Sequence, residues 1–340
     1  MRKKILIALT AFIILASPAL ASVACGRNMV QEIYDLQTIL HWPNSEGAID
    51  RNKTQYISAG LQKYAVDIIR GAIRRNDSCL LANGVNVIDY GFDHMNVDGS
   101  FESFDPDTEE EFPLVDQLSA SAFFLQTVML SYLSTDLTAY DSDIVTAFGW
   151  LVPQYATLYA YDEDTMNRLA IDGQAFLFYG RAAGNATVEA LGITFLDVVI
   201  ASQTAAGVFP EEGGFDSSYQ AVTLMMLLYV YIHVPPGDQP DGLYDAIVNG
   251  MRWELTRIES DGKVRNDGNT RTNGQEEVLG EAKTVNYPQV ITALALYAEV
   301  FGDRSVRAVA EKVYDYTLRL AGLTAADVRT NLVVAMESCE

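Results

Sequence analysis

Cysteine, histidine and positive charge are all scarce in this 340-residue sequence, which has three cysteines, three histidines and 23 lysines and arginines against 45 aspartates and glutamates. Cys25, Cys79 and Cys339 are too few and too widely spaced for a zinc cluster or a disulfide framework, although one bridge is possible. The net charge of −22 argues against nucleic acid, whose phosphates need a basic surface, and against docking on anionic lipid. An anionic ligand would have to be met by locally clustered Arg and Lys. After residue 21 no run of 18 or more apolar residues is free of charged or polar breaks, so no membrane span is expected.

What is present begins with a secretory pattern. Arg2, Lys3 and Lys4 precede an apolar run over 5–15, and Ala19-Leu20-Ala21 forms a small-x-small cleavage site. A signal peptide over 1–21, removed before Ser22, follows from that order. The expectation is a periplasmic or secreted protein, a single domain over 22–340, with no membrane attachment beyond export and a monomeric state. With 49% apolar residues the chain can bury a large core.

Helical periodicity dominates the remainder. Apolar residues recur at three- and four-residue intervals over 31–41, 56–75, 115–134, 143–161, 164–183, 188–203, 217–234, 243–258, 287–301, 305–321 and 325–336. No stretch alternates long enough to predict a sheet, so the fold class is all-α. Glycine turns followed two residues later by an apolar residue occur at Gly47, Gly99, Gly207 and Gly262, separated by 52, 108 and 55 residues. Those intervals read as one, two and one units of a paired-helix repeat. Tyr219, Val222, Leu228 and Tyr229 match Tyr287, Val290, Leu296 and Tyr297 at a constant offset. About six helical hairpins fit the chain, closing into an (α/α)6-type toroid or stacking as an open α-solenoid.

Long polar segments at 83–112, 204–218 and 259–286 would share one rim of such a ring, where long loops are commonly functional. The segment Gly207-Val208-Phe209-Pro210-Glu211-Glu212-Gly213-Gly214-Phe215-Asp216-Ser217-Ser218-Tyr219-Gln220 resembles the glycine turn, acid and helix-starting tyrosine of the α/α-toroid polysaccharide lyases of alginate and heparinase type. The resemblance covers these residues and the repeat architecture. It implies an exported enzyme cleaving a uronate-containing glycan by β-elimination, with Tyr219 as acid or base. Removing the proton beside a carboxylate requires that the carboxylate be neutralised and the developing enolate held by hydrogen-bond donors. His94 is the one rim-loop histidine and a candidate assistant, and Arg271 and Arg265 are candidate carboxylate clamps. Glu211, Glu212, Asp216, Gln220, Asn96 and Tyr287 complete the candidate substrate-binding set.

Each candidate has a plainer role available. Tyr219 can pack its ring at a helix start, Asp216 can cap that helix, and Arg271 can pair with Glu276 or Glu277. The rival chemistry is inverting glycoside hydrolysis, with Glu211 or Glu212 opposite Asp93, Asp98 or Glu102. A third class is a non-catalytic glycan-binding toroid. Residues 94–101 also echo a calcium loop through Asn96 and Asp98, but a histidine stands at the first ligand position and Asp105 at the twelfth, so no metal or other cofactor is expected.

Overall fold

The structure, a computed structural model, describes residues 27–278 and 281–337. The leader pattern therefore lies outside the described residues. Thirteen α-helices are described: α1 (Met29–Leu40), α2 (Ala65–Arg75), α3 (Ser78–Asp93), α4 (Leu114–Tyr132), α5 (Asp141–Leu151), α6 (Tyr155–Asp162), α7 (Met166–Ala183), α8 (Ala186–Ser202), α9 (Ser217–His233), α10 (Leu243–Thr256), α11 (Tyr287–Phe301), α12 (Arg304–Ala321) and α13 (Ala325–Glu337). The described extended structure is a two-residue strand pair, Glu277–Val278 with Glu281–Ala282, plus isolated bridges.

Local chemistry sets the helix ends. Asn28, Asp77, Asn185, Asp216, Asn286 and Asp303 each accept a backbone N–H in the first turn that follows. Left-handed residues stop the chain at Asn76, Gly184, Gly302 and Gly322. The single helix expected over 143–161 is two, because Pro153 cannot donate to the ladder and Val152–Gln154 tightens into a 3-10 turn. Helix α3 was not expected from the periodicity and takes in much of the segment read as a rim loop. Its Gly84 and Gly91 lower helix propensity, yet a Cβ there would lie 2.5 Å from Ile69 and 2.3 Å from the Phe124 ring. Those glycines are the price of close packing against α2 and α4.

The helices form two concentric layers. The inner ring runs α1–α2–α4–α7–α9–α11 and returns to α1, while α3, α5 with α6, α8, α10, α12 and α13 back it from outside. The ends meet, so the fold is the closed toroid and not the open solenoid. Inner helices are buried around most of their circumference, as in α9, where every residue from Gln220 to Val230 is buried. One stave is reversed. Arg74 at the end of α2 bonds both Glu299 at the end of α11 and Asn28 at the start of α1, so α1 runs opposite to α2 and α11. At the other rim His41 stacks on Tyr64, 3.6 Å between ring centroids. Among the described residues no helix is long and apolar enough to cross a membrane.

The four repeat glycines do one job. Gly47, Gly99, Gly207 and Gly262 have φ between 90° and 94°. A Cβ on each would sit 2.1–2.3 Å from a carbonyl oxygen of Asn86, Thr146, Asn249 or Lys312, all on outer helices. Each turn thus lies directly on the outer helix that follows the next inner one. In two units a buried glutamine clamps the turn. Gln62 accepts from Ile49 N–H and donates to the carbonyls of Gly47 and Val87, and Gln220 does the same with Phe209, Gly207 and Gly250. The side chain of Gln220 is therefore committed to the turn rather than to a ligand.

Gly207→Ala should destabilise the fold by about 3 kcal/mol or more, combining left-handed strain with a backbone clash. Gly184→Ala, also left-handed but with no atom within 4 Å of the new methyl, should cost about 1 kcal/mol. Urea unfolding of both variants checks this, and equal losses would show that the outer-helix contact is not what selects glycine.

Candidate active site

The starts of α2, α7 and α11, the last turn of α1, the second half of α4 and most of α9 enclose a cavity of about 290 Å³ inside the ring. Lys63, Arg168, Arg271 and Lys283 all line it, against one lining acid, Asp67. A chain of net charge −22 has gathered four cations around one hole.

Asp216 builds one wall. Its Oδ1 caps α9, accepting from Ser218 N–H (2.9 Å) and Tyr219 N–H (3.2 Å), and also from the Thr272 hydroxyl (2.8 Å). Its Oδ2 accepts from the backbone N–H groups of Arg271 (3.1 Å) and Thr272 (2.7 Å). One buried carboxylate thus ties the third polar loop to the helix that carries Tyr219. Asp216 has no free valence for a substrate, and the expectation of substrate contact is corrected to the capping role.

That tie places the Arg271 guanidinium 4.7 Å over the Tyr219 ring. Arg271 also meets Glu211 at 2.8 Å, Glu212 at 3.0 Å and Glu276 at 3.4 Å, and Lys283 pairs with Glu276. Arg271 and Glu211 are both buried, and removing one partner of such a pair typically costs about 3–5 kcal/mol. Burial pushes the Glu211 carboxyl up to about 7, with Arg271 opposing. Burial likewise pushes the Tyr219 phenol up to about 12, again against Arg271. Tyr219 therefore stands as a neutral phenol, able to donate a proton.

Several wall residues escaped the sequence reading. Lys63 Nζ makes no hydrogen bond or ion pair among the described residues and lies 5.4 Å and 5.7 Å from the Tyr64 and Phe123 ring centroids. Burial drives its pKa down, Asp50 opposing and Arg168 adding to the effect. Arg168 is held by Asp162 at 3.0 Å. Asn167 Oδ1 and Gln37 Oε1 are buried without a partner. Burial pushes Asp67 up to about 7, with Arg70 opposing. A charged or amide residue on the apolar face of a predicted inner helix was the available signal.

Other candidates lie elsewhere. His94 is outside the cavity lining, stacked on Tyr56 at 3.6 Å and bonded to Glu102 at 3.1 Å. Its loop folds back on itself instead of reaching the ring's interior. Arg265 is exposed and paired with Asp267 at 2.7 Å. Tyr287 stacks on Tyr316 at 5.4 Å, facing an outer helix. Asn96 bonds the Ser100 hydroxyl, and Asp98 accepts from the same serine, in an exposed turn. No group of three His, Cys, Asp or Glu side chains among the described residues is arranged to hold a metal. Asp93, Asp98 and Glu102, the acids a hydrolase would need opposite Glu211 or Glu212, do not line the cavity. Cys79 is disulfide-bonded, and the other two cysteines lie outside the described residues.

No protein-family model matches the chain, and no curated protein matches it. Among solved structures, a polysaccharide lyase superposes with a TM-score of 0.49 at 13% identity, covering 86% of this chain and 46% of that one. The chain spans about half the length of that protein.

The raised carboxyl at Asp67 sets a pH dependence. Its folded pKa of about 7 lies above the ordinary 3.8, so the folded state holds the proton through that window and stability falls as pH rises across it. Asp67→Asn should stabilise the protein by on the order of 2 kcal/mol at pH 8, with the gain vanishing near pH 4. Glu211 titrates in the same sense, so the variant keeps part of the slope. Paired denaturant titrations at pH 4, 6 and 8 measure the difference, and a gain independent of pH would contradict the assignment.

Proposed function

We propose that the cavity binds a uronate residue of a polysaccharide and cleaves the chain by β-elimination. The observation that carries this reading is the gathering of Lys63, Arg168, Arg271 and Lys283 around one cavity of an acidic chain, with Lys63 making no direct ion pair among the described residues. Buried charge is ordinarily paired, so a cation left unmatched in a cleft marks a place for an anion or for proton transfer.

The walls divide the work. Arg168 faces the cavity and suits the substrate carboxylate, whose charge grows as the adjacent carbon loses its proton, while the unpartnered Oδ1 of Asn167 is an acceptor and suits a sugar hydroxyl. Lys63, with its pKa driven down, suits taking that proton on Nζ. The electron pair then forms the carbon–carbon double bond, and the bond to the glycosidic oxygen breaks. Tyr219 gives its hydroxyl proton to the leaving oxygen. Arg271, stacked on the Tyr219 ring, steadies the transient phenolate, which regains a proton from solvent while the Lys63 ammonium releases its own to solvent. An acid and a base with pKa values displaced in opposite directions within one cavity is the arrangement such chemistry needs. Arg271 thus serves the tyrosine more than the substrate, because three glutamates already occupy its donors.

Export to the periplasm or outside the cell accompanies this reading, since polymeric glycans lie there. The position of Asp93, Asp98 and Glu102 outside the lining weighs against the hydrolytic alternative.

Incubating the protein with alginate, glucuronan, pectate and heparinoids should raise the ultraviolet absorbance of a conjugated unsaturated uronate with at least one polymer. Tyr219→Phe should lower kcat about 100-fold or more, and Glu212→Gln less than about tenfold. Release of reducing ends without that absorbance, or a Tyr219→Phe variant of full activity on a cleaved polymer, would overturn the mechanism.

A further inference from the structure

We infer that the floor of the cavity is a blind subsite for the terminal sugar, so that the protein works from a chain end; the inference rests on the uronate reading above. Three observations carry it. The first is closure. The reversed helix α1 fills the sixth place in the ring, and its Tyr34 is 2% exposed; Tyr229, on the cavity floor, is 1% exposed. Arg70 lies 4.2 Å over the Tyr229 ring on the side away from the rim, with His233 3.0 Å from Arg70. The axial passage is filled there, so a polymer cannot thread through.

The second observation is chemical. Gln37 Oε1, on α1, is buried and accepts no hydrogen bond. The Asp67 carboxyl, on α2 and 7% exposed, makes no hydrogen bond among the described residues, although it lines the same floor. Buried polar groups are nearly always satisfied, so the orphaned Gln37 oxygen, with the Asp67 carboxyl lining the same hole, suits a ligand rich in hydroxyls. Gln126, on the same wall, already donates its amide N–H to Gln174 Oε1 at 2.7 Å.

Third, the remaining wall suits a sugar's carbon face. Val222, Met225 and Met226 of α9 present apolar surface beside these polar atoms. A volume of about 290 Å³ lies at the small end of ligand sites and matches a chain end better than a long polymer segment. The rim cations then address the carboxylate at the scissile position, while Gln37 and Asp67 address hydroxyls of the unit below.

Calorimetric titration of Tyr219→Phe with the free uronates D-glucuronate, D-galacturonate, D-mannuronate and L-guluronate tests the subsite directly. At least one should bind, and Gln37→Leu or Asp67→Leu should weaken it about tenfold with the fold intact by circular dichroism. If none binds, the subsite is overturned whatever the catalytic result. Monosaccharide binding without cleavage of any polymer keeps the subsite and sinks the lyase mechanism. With a cleaved polymer, chain-end action gives one short product from the first minutes and a slow fall in viscosity. An early ladder of sizes with a sharp viscosity drop would overturn chain-end action.

Discussion

The Asp216 carboxylate holds together parts of the chain that are more than fifty residues apart. By capping α9 and accepting the backbone N–H groups of Arg271 and Thr272, it fixes the height of Tyr219 and the path of the loop above it with one group. Everything else at that wall follows from this contact: the guanidinium over the ring, the glutamates around the guanidinium, and the lysine beyond them. A carboxylate accepting several N–H groups at a helix start is also favoured by the helix dipole, so the tie is strong where the site needs rigidity.

The electrostatics of the cavity are not those of a simple positive patch. Arg271 is offset by Glu211, Glu212 and Glu276, and Arg168 by Asp162, which keeps buried charge affordable. Lys63 stands apart because its ammonium group makes no ion pair among the described residues and lies near the Tyr64 and Phe123 rings. The acidic chain and the four cavity cations are therefore compatible, since Arg168, Arg271 and Lys283 are each offset by a neighbouring carboxylate.

The fold was legible because its repeat demanded particular residues. A turn that lies on a helix carbonyl admits glycine alone, so Gly47, Gly99, Gly207 and Gly262 showed the unit length in the bare sequence. Capping chemistry made Asp216 readable in the same way. Helix α3 was hidden because the glycines that let it pack are those that lower helix propensity. The site was less legible still. Lys63, Asp67 and Asn167 sit within helical segments, and which face of a helix turns into the ring depends on closure, which periodicity cannot report. His94 and Arg265 looked accessible in loops, but loop position alone did not bring them inward.

Ring closure has a consequence for how the molecule comes into being. Helix α1 is made first, yet its neighbours include α11, α12 and α13, which are made last. Until the final hairpin leaves the ribosome, Ile33 and Leu36 have only part of their packing, and the cavity has a missing wall. The entropy of joining such distant segments grows only logarithmically with their separation, so the finished ring is not penalised heavily. The waiting time is another matter: the ring stays open until its last helices have been made.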